Sequence, residues 1–133
     1  MSNTKNDNLM KLKFSKVIQF IFAFILLFVG GNKIFQFVLP PPTPEVAWVY
    51  WEALNSSKTI SLVGFVEIIA GLSMLFNKYT ALTMIVLMSV SVNAVLYHLT
   101  LDMKGIPIAL VLIVLNSYML YENRHAYKDI IKG

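Results

Sequence analysis

Four apolar stretches take up most of this chain of 133 residues and limit what it can fold into. They cover residues 17–39, 59–76, 79–101 and 105–121. A helix of about 17 to 25 residues crosses the hydrocarbon of a bilayer, and each stretch is long enough to do so. Only 14% of the residues are charged, against roughly 25% in a soluble domain. The last three stretches are joined by short turns, so the pattern predicts an all-α membrane protein with a four-transmembrane-helix antiparallel bundle.

The segments that flank the bundle carry most of the positive charge. We expect residues 1–13 to be a disordered basic N-terminus, residues 14–127 the transmembrane domain, and residues 128–133 a tail. The first apolar stretch is longer than the roughly 7–15 residues of a signal-peptide core, so it reads as a retained helix. Cations concentrate in the N-terminal segment, the turn after the second span and the tail: Lys5, Lys11, Lys13, Lys16, Lys78, Arg124, Lys128 and Lys132. This bias predicts cytoplasmic termini and contact with lipid headgroups, not with nucleic acid.

A short amphipathic segment separates the first two spans. After the proline-rich residues 40–44, residues 45–54 place apolar side chains at helical spacing and include Trp48 and Trp51. Tryptophan is enriched at membrane–water interfaces. The segment is therefore either a short interfacial helix between spans 1 and 2 or an ordinary aromatic loop.

Glu67 lies near the middle of the second span, where a charge must be paired, protonated or directed into a polar cavity. Counting residues from the outer end of each span places Lys33 at a depth of about 9 Å, Glu67 and Asn93 at about 12 Å, and Asn116 at about 16 Å. Gly64 and Gly71 share a helix face with Glu67, so a neighbouring helix can approach the acid closely.

These depths indicate one polar site in the outer half of the bundle. We expect Glu67 and Lys33 to be its proton-exchanging or catalytic pair, with a surrounding ligand-binding set formed by Asn32, Asn93, Tyr97, His98 and Asn116. The alternative is that these groups only hold the helices together, since interhelical hydrogen bonds average about 0.6 kcal/mol.

Metal and haem sites are not expected. His98 and His125 lie at opposite faces, about 30 Å apart, so they cannot hold one haem together within a subunit. One histidine with one glutamate supplies too few ligands for a zinc or iron site. The chain has no cysteine, which excludes thiolate chemistry by its own residues.

As a set, the motifs resemble the DoxX family over roughly residues 15–127. The resemblance rests on Gly31-x-Lys33, the proline-rich loop, Gly64-x-x-Glu67-Ile68-x-x-Gly71, Asn93 with Tyr97-His98, and a short Asp-Lys-Gly turn before the fourth span. It implies a four-helix bacterial inner-membrane protein linked to quinone or thiol-oxidant metabolism. On that similarity Lys33, Glu67, Asn93 and His98 form the polar site, whereas cysteine-based activities of relatives do not transfer.

The leading expectation is therefore a protein that binds a quinone-like or other amphipathic ligand, such as a lipid, and supports membrane redox or oxidative-stress metabolism. Electrons would come from a bound cofactor or a partner redox subunit. The alternative is a non-catalytic accessory or assembly subunit of a membrane complex. A small proton-coupled transporter is a weaker alternative, because such proteins usually pair acids across a dimer.

Overall fold

A computed structural model describes residues 2–132. Its helices are α1 (Ser2–Phe35), α2 (Glu45–Ser56), α3 (Thr59–Phe76), α4 (Thr80–Thr100), α5 (Ile106–Glu122) and α6 (Lys128–Ile131). Helices α1, α3 and α4, and α5 with the turn before it, are each long and apolar enough to cross a membrane. The predicted all-α, four-span architecture is confirmed, and the chain is a multi-pass membrane protein.

The four spans form a ring in which each contacts the next. Helix α1 packs mainly on α3, α3 on α4 and α4 on α5, while α5 returns to α1 with a much lighter contact. The buried core includes Phe22, Leu26, Met74, Met84 and Met119. We call the end that carries α2 and the α4–α5 turn the α2 end, and the opposite end, with both chain termini, the terminal end.

Helix α1 is longer than a membrane span. Its 34 residues extend about 51 Å at 1.5 Å per residue, whereas the hydrocarbon is about 30 Å thick. The first residues, expected to be disordered, are helical from Ser2 onward. That expectation was wrong because the basic segment contains no glycine or proline to interrupt a helix that continues into the span. At the other end the helix stops at Phe35, and Gln36 has a left-handed φ of 51°.

The short helix predicted between the first two spans is present as α2. It extends two residues beyond the predicted 45–54 and packs against α3. Ala47 is buried, whereas Val46, Trp48 and Val49 are exposed. Helix α2 therefore keeps several apolar side chains uncovered at this end of the bundle.

The terminal end is tied together by hydrogen bonds between distant segments. Lys16 donates to Asn77 at 2.9 Å, and the Tyr127 hydroxyl donates to the Ala81 carbonyl oxygen at 2.8 Å. Burial raises the pKa of the Tyr127 hydroxyl, which keeps it protonated as a donor. The last residue of the predicted transmembrane domain, Tyr127, is thus anchored against α4.

Candidate functional site

An ion pair joins α1 to α3 inside the bundle. The Lys33 Nζ atom lies 2.8 Å from both carboxylate oxygens of Glu67. The Glu67 side chain is 1% exposed and the Lys33 side chain 18%. The pairing expected from the sequence is therefore present, with the acid enclosed and the base partly accessible.

Glycines allow the two helices to approach closely enough for this pair. A Cβ atom on Gly64 would lie 2.7 Å from the Gly30 carbonyl oxygen and 2.9 Å from Cβ of Lys33. One on Gly71 would lie 2.9 Å from the Ala23 carbonyl oxygen. Since such distances are too short for a real Cβ, the backbones touch where only glycine fits. The predicted role of Gly64 and Gly71 beside Glu67 is confirmed.

The lysine keeps a donor that Glu67 does not use. An ammonium group has three N–H donors, and the two carboxylate oxygens of Glu67 account for two of them. The third has no acceptor among residues 2–132. A carbonyl, carboxylate or phosphate oxygen would satisfy it.

An apolar groove opens on the other side of α1. It has a volume of about 250 Å³ and is lined by Ile25, Leu26 and Val29 of α1 and by five residues of α5 between Pro107 and Leu115. This groove is the space left by the light α1–α5 contact. It can take a hydrocarbon chain but offers almost no polar partner.

The groove and the ion pair are adjacent along α1. Lys33 follows Val29 by four residues and Leu26 by seven, so the three side chains share one face of the helix. Lys33 is one helical turn nearer the α2 end than Val29, the last α1 residue that lines the groove. A molecule with a polar head and an apolar chain could contact both.

Two residues expected at this site form their hydrogen bonds elsewhere. Asn32 uses its Oδ1 to accept from the Val38 backbone N–H at 2.7 Å, which holds the chain that follows α1. Asn93 is exposed on the outside of the bundle, where its Nδ2 donates to the Ser89 carbonyl oxygen of its own helix at 2.8 Å. Neither side chain forms a hydrogen bond with Lys33 or Glu67 within residues 2–132, and a ligand-binding role for them stays a prediction.

Asn116 forms a separate buried contact between α4 and α5. Its Nδ2 donates to the Ser91 hydroxyl at 2.9 Å, and the residue is fully buried. Its Oδ1 has no partner among residues 2–132. No hydrogen bond within those residues links Asn116 to the ion pair, so it belongs to a second polar contact.

Tyr97 and His98 lie together at the α2 end. The Tyr97 ring stacks on Tyr50 of α2 with centroids 5.8 Å apart, and it meets the His98 ring edge-on at 4.9 Å. Its hydroxyl lies 3.5 Å from the Ala47 carbonyl oxygen. These contacts hold α2 against α4.

Asp102 is a member of this cluster that the sequence reasoning missed. It is buried, with Oδ2 3.7 Å and its carbonyl oxygen 3.0 Å from His98 Nδ1. A Cβ on Gly105 would overlap the His98 ring, so the Asp-Lys-Gly turn is shaped around the imidazole. The i,i+4 spacing of His98 and Asp102 was the available signal, since such residues are neighbours on a helix.

No family model, characterised protein or solved structure matches this chain. Within residues 2–132, no group of three or more histidine, aspartate or glutamate side chains could hold a metal ion.

Proposed function

We propose that this protein binds a quinone-like or other amphipathic ligand in the outer half of a bacterial inner membrane and supports redox or oxidative-stress metabolism there. The polar head would contact Lys33 beside Glu67, and the apolar chain would lie in the groove between α1 and α5. The resemblance of the motifs to the DoxX family supports the choice of a quinone.

One observation carries this proposal: Lys33, whose side chain is 18% exposed, lies one helical turn from the end of an apolar groove. Ligand sites are mostly apolar and contain a few polar groups that fix orientation. A groove of about 250 Å³ is slightly below the roughly 300–1,000 Å³ of drug-sized pockets. The groove therefore suits part of an elongated molecule, such as one hydrocarbon chain of an amphipathic ligand.

The energetics of the ion pair favour a use beyond holding helices together. Replacing a buried ion pair by apolar residues of similar volume is often neutral or stabilising by about 1–4 kcal/mol. The close glycine contact between α1 and α3 already provides packing at this point. A pair of charges inside a span is a functional site by default.

The residues have separate chemical roles in this proposal. Lys33 would donate a hydrogen bond to a carbonyl or phosphate oxygen of the head group. Glu67 would accept or return the proton when the ligand changes its protonation state. Electrons would pass between the ligand and a partner redox subunit or cofactor, because the chain has no cysteine of its own.

The orientation follows from the cationic residues at the terminal end. Positive charge favours the cytoplasmic side, so both termini would be cytoplasmic and the α2 end would face outward. Ligand would then enter sideways from the outer leaflet, through the opening between α1 and α5.

The test is mass spectrometry of small molecules extracted from protein purified in mild detergent. Lys33→Met/Glu67→Met removes both charges and leaves neither one unpaired, so it should fold. We expect a quinone or a specific lipid bound to the wild type and at least tenfold less in this variant. Equal amounts in both proteins would contradict the proposal.

An accessory subunit is the second candidate, favoured by the exposed apolar side chains of α2. Val46, Trp48 and Val49 are uncovered there, and a partner protein could bind them. This reading predicts a stoichiometric partner that is lost on Trp48→Ser and kept in Lys33→Met/Glu67→Met. Wild-type protein that purifies with a bound small molecule and without a partner would count against it.

A further inference from the structure

One face of α4 points away from the bundle and carries an unusual polar residue. We call this face the α4 seam. It consists of exposed residues whose spacing along the helix is alternately four and three positions: Leu82, Val86, Ser89, Asn93, Leu96 and Thr100. The opposite face supplies the buried residues Met84, Leu87 and Ser91. The α4 seam therefore faces the lipid or another protein.

Asn93 makes only part of the hydrogen bonds that its side chain could form in that position. One N–H of its carboxamide donates to the Ser89 carbonyl oxygen at 2.8 Å, and its Oδ1 accepts no hydrogen bond from any residue in 2–132. The residue is seven positions before Thr100, hence about 10 Å inside the helix end at 1.5 Å per residue. Lipid hydrocarbon offers no donor or acceptor at that depth, and an unpaired amide there is costly.

Two other carboxamides within the spans point into the bundle. Gln19 is buried and donates to the Met74 carbonyl oxygen at 2.7 Å, and Asn116 is buried against Ser91. Each donates its amide N–H to a partner inside the bundle, although the Oδ1 of Asn116 has no partner within residues 2–132. Asn93 points away from the core. We therefore expect the hydrogen-bond partner of its Oδ1 to come from outside this chain.

We propose that the α4 seam is the contact between two copies of this chain, paired through Asn93. Membrane insertion gives every copy the same orientation, so a two-fold axis along the membrane normal sets α4 parallel to α4. Each seam residue then meets its own counterpart at the same depth. A carboxamide is its own complement, because the Nδ2 donor of each Asn93 can bond the Oδ1 acceptor of the other.

The spacing of the α4 seam fits this geometry. Alternation by three and four places side chains along one side of a helix that supercoils with a parallel partner. A single asparagine in such a seam fixes register and the number of strands. Ser89, one turn away, is small enough to let the backbones approach. To pair with Asn93, a different protein would need a carboxamide at the same depth. A second copy of this chain has one there already.

Cysteine cross-linking in membranes tests the proposal, since the chain has no native cysteine. Leu96→Cys puts a thiol on the α4 seam and retains Asn93. Val114→Cys is the control, because Val114 is similarly exposed on α5. After mild oxidation we expect a covalent dimer from Leu96→Cys in at least fivefold greater yield than from Val114→Cys.

A second variant separates the role of Asn93 from simple proximity. Leu96→Cys/Asn93→Leu should give at least threefold less dimer than Leu96→Cys. The thermal stability of the monomer should be unchanged, because Asn93 is exposed and its hydrogen bond within residues 2–132 goes to its own helix. Equal yields with and without Asn93, or equal yields at positions 96 and 114, would overturn the proposal. So would a cross-linked product whose mass is that of this chain with a different protein.

Discussion

Against α3, helix α1 packs so closely that the backbones meet at Gly30 and Gly64, whereas against α5 it leaves an apolar groove of about 250 Å³. The close side contains the charged pair and the open side contains empty apolar space. Lys33 lies on the α1 face that also lines the groove, while its ammonium reaches across to Glu67. The tight α1–α3 packing thus holds the Lys33–Glu67 pair in place, and the loose α1–α5 packing leaves room beside it.

The two sides differ because their residues differ. The close contact is built from glycines, which bring helix backbones together in a membrane. The groove is lined by branched side chains and Pro107, whose bulk keeps α5 at a distance. A structural helix contact would be complete without the charges, so their location at the border of the groove is the feature to test.

The largest expected effect comes from removing one member of the pair. Lys33→Met leaves the Glu67 carboxylate buried without a cation, and we expect a loss of about 3–5 kcal/mol in the free energy of unfolding. Unfolding in mixed detergent and SDS, followed by circular dichroism, measures it. Lys33→Met/Glu67→Met should recover most of the loss; a double variant as unstable as Lys33→Met would show that the pair itself holds the close side together.

Neighbouring glycines provide a matched pair for the backbone contact. In Gly30→Ala the new Cβ would lie 2.7 Å from the Gly64 carbonyl oxygen, whereas in Gly31→Ala it would lie 3.5 Å from the Phe37 ring. We expect Gly30→Ala to lose about 1–3 kcal/mol through overpacking and Gly31→Ala to change little, by the same unfolding assay. Equal losses would mean that α1 and α3 are not in backbone contact.

The smallest expected effect concerns the buried contact away from α1. Asn116→Leu removes the hydrogen bond to Ser91, which in a membrane is worth about 0.6 kcal/mol and at most about 1.7. Ser91→Ala should lose a similar amount, and the two changes together should lose less than their sum because they delete one bond. Fully additive losses in the unfolding assay would assign the residues to separate interactions.

The sequence predicted the spans and the ion pair because both depend on local signals. Apolar length gives the number of helices, and residue counting gives the matching depth of Lys33 and Glu67. Asn93 was expected inside the bundle but is exposed on α4. Its depth in the membrane does not determine which side of the helix it occupies, since that depends on how the neighbouring helices pack. Asp102 was treated as a turn residue, since its burial and its approach to His98 are tertiary features that the sequence does not display. The groove could not be foreseen, because it is a gap between helices rather than a motif.

The most direct test of the central claim is native mass spectrometry of the bound small molecule in variants that alter the groove or the charges. Val111→Trp fills the groove, and Val114→Trp adds the same side chain to α5 outside it. If one ligand uses both regions, Val111→Trp and Lys33→Met/Glu67→Met should each lose the molecule that the wild type and Val114→Trp retain. The account is contradicted if Val111→Trp keeps that molecule at the wild-type level.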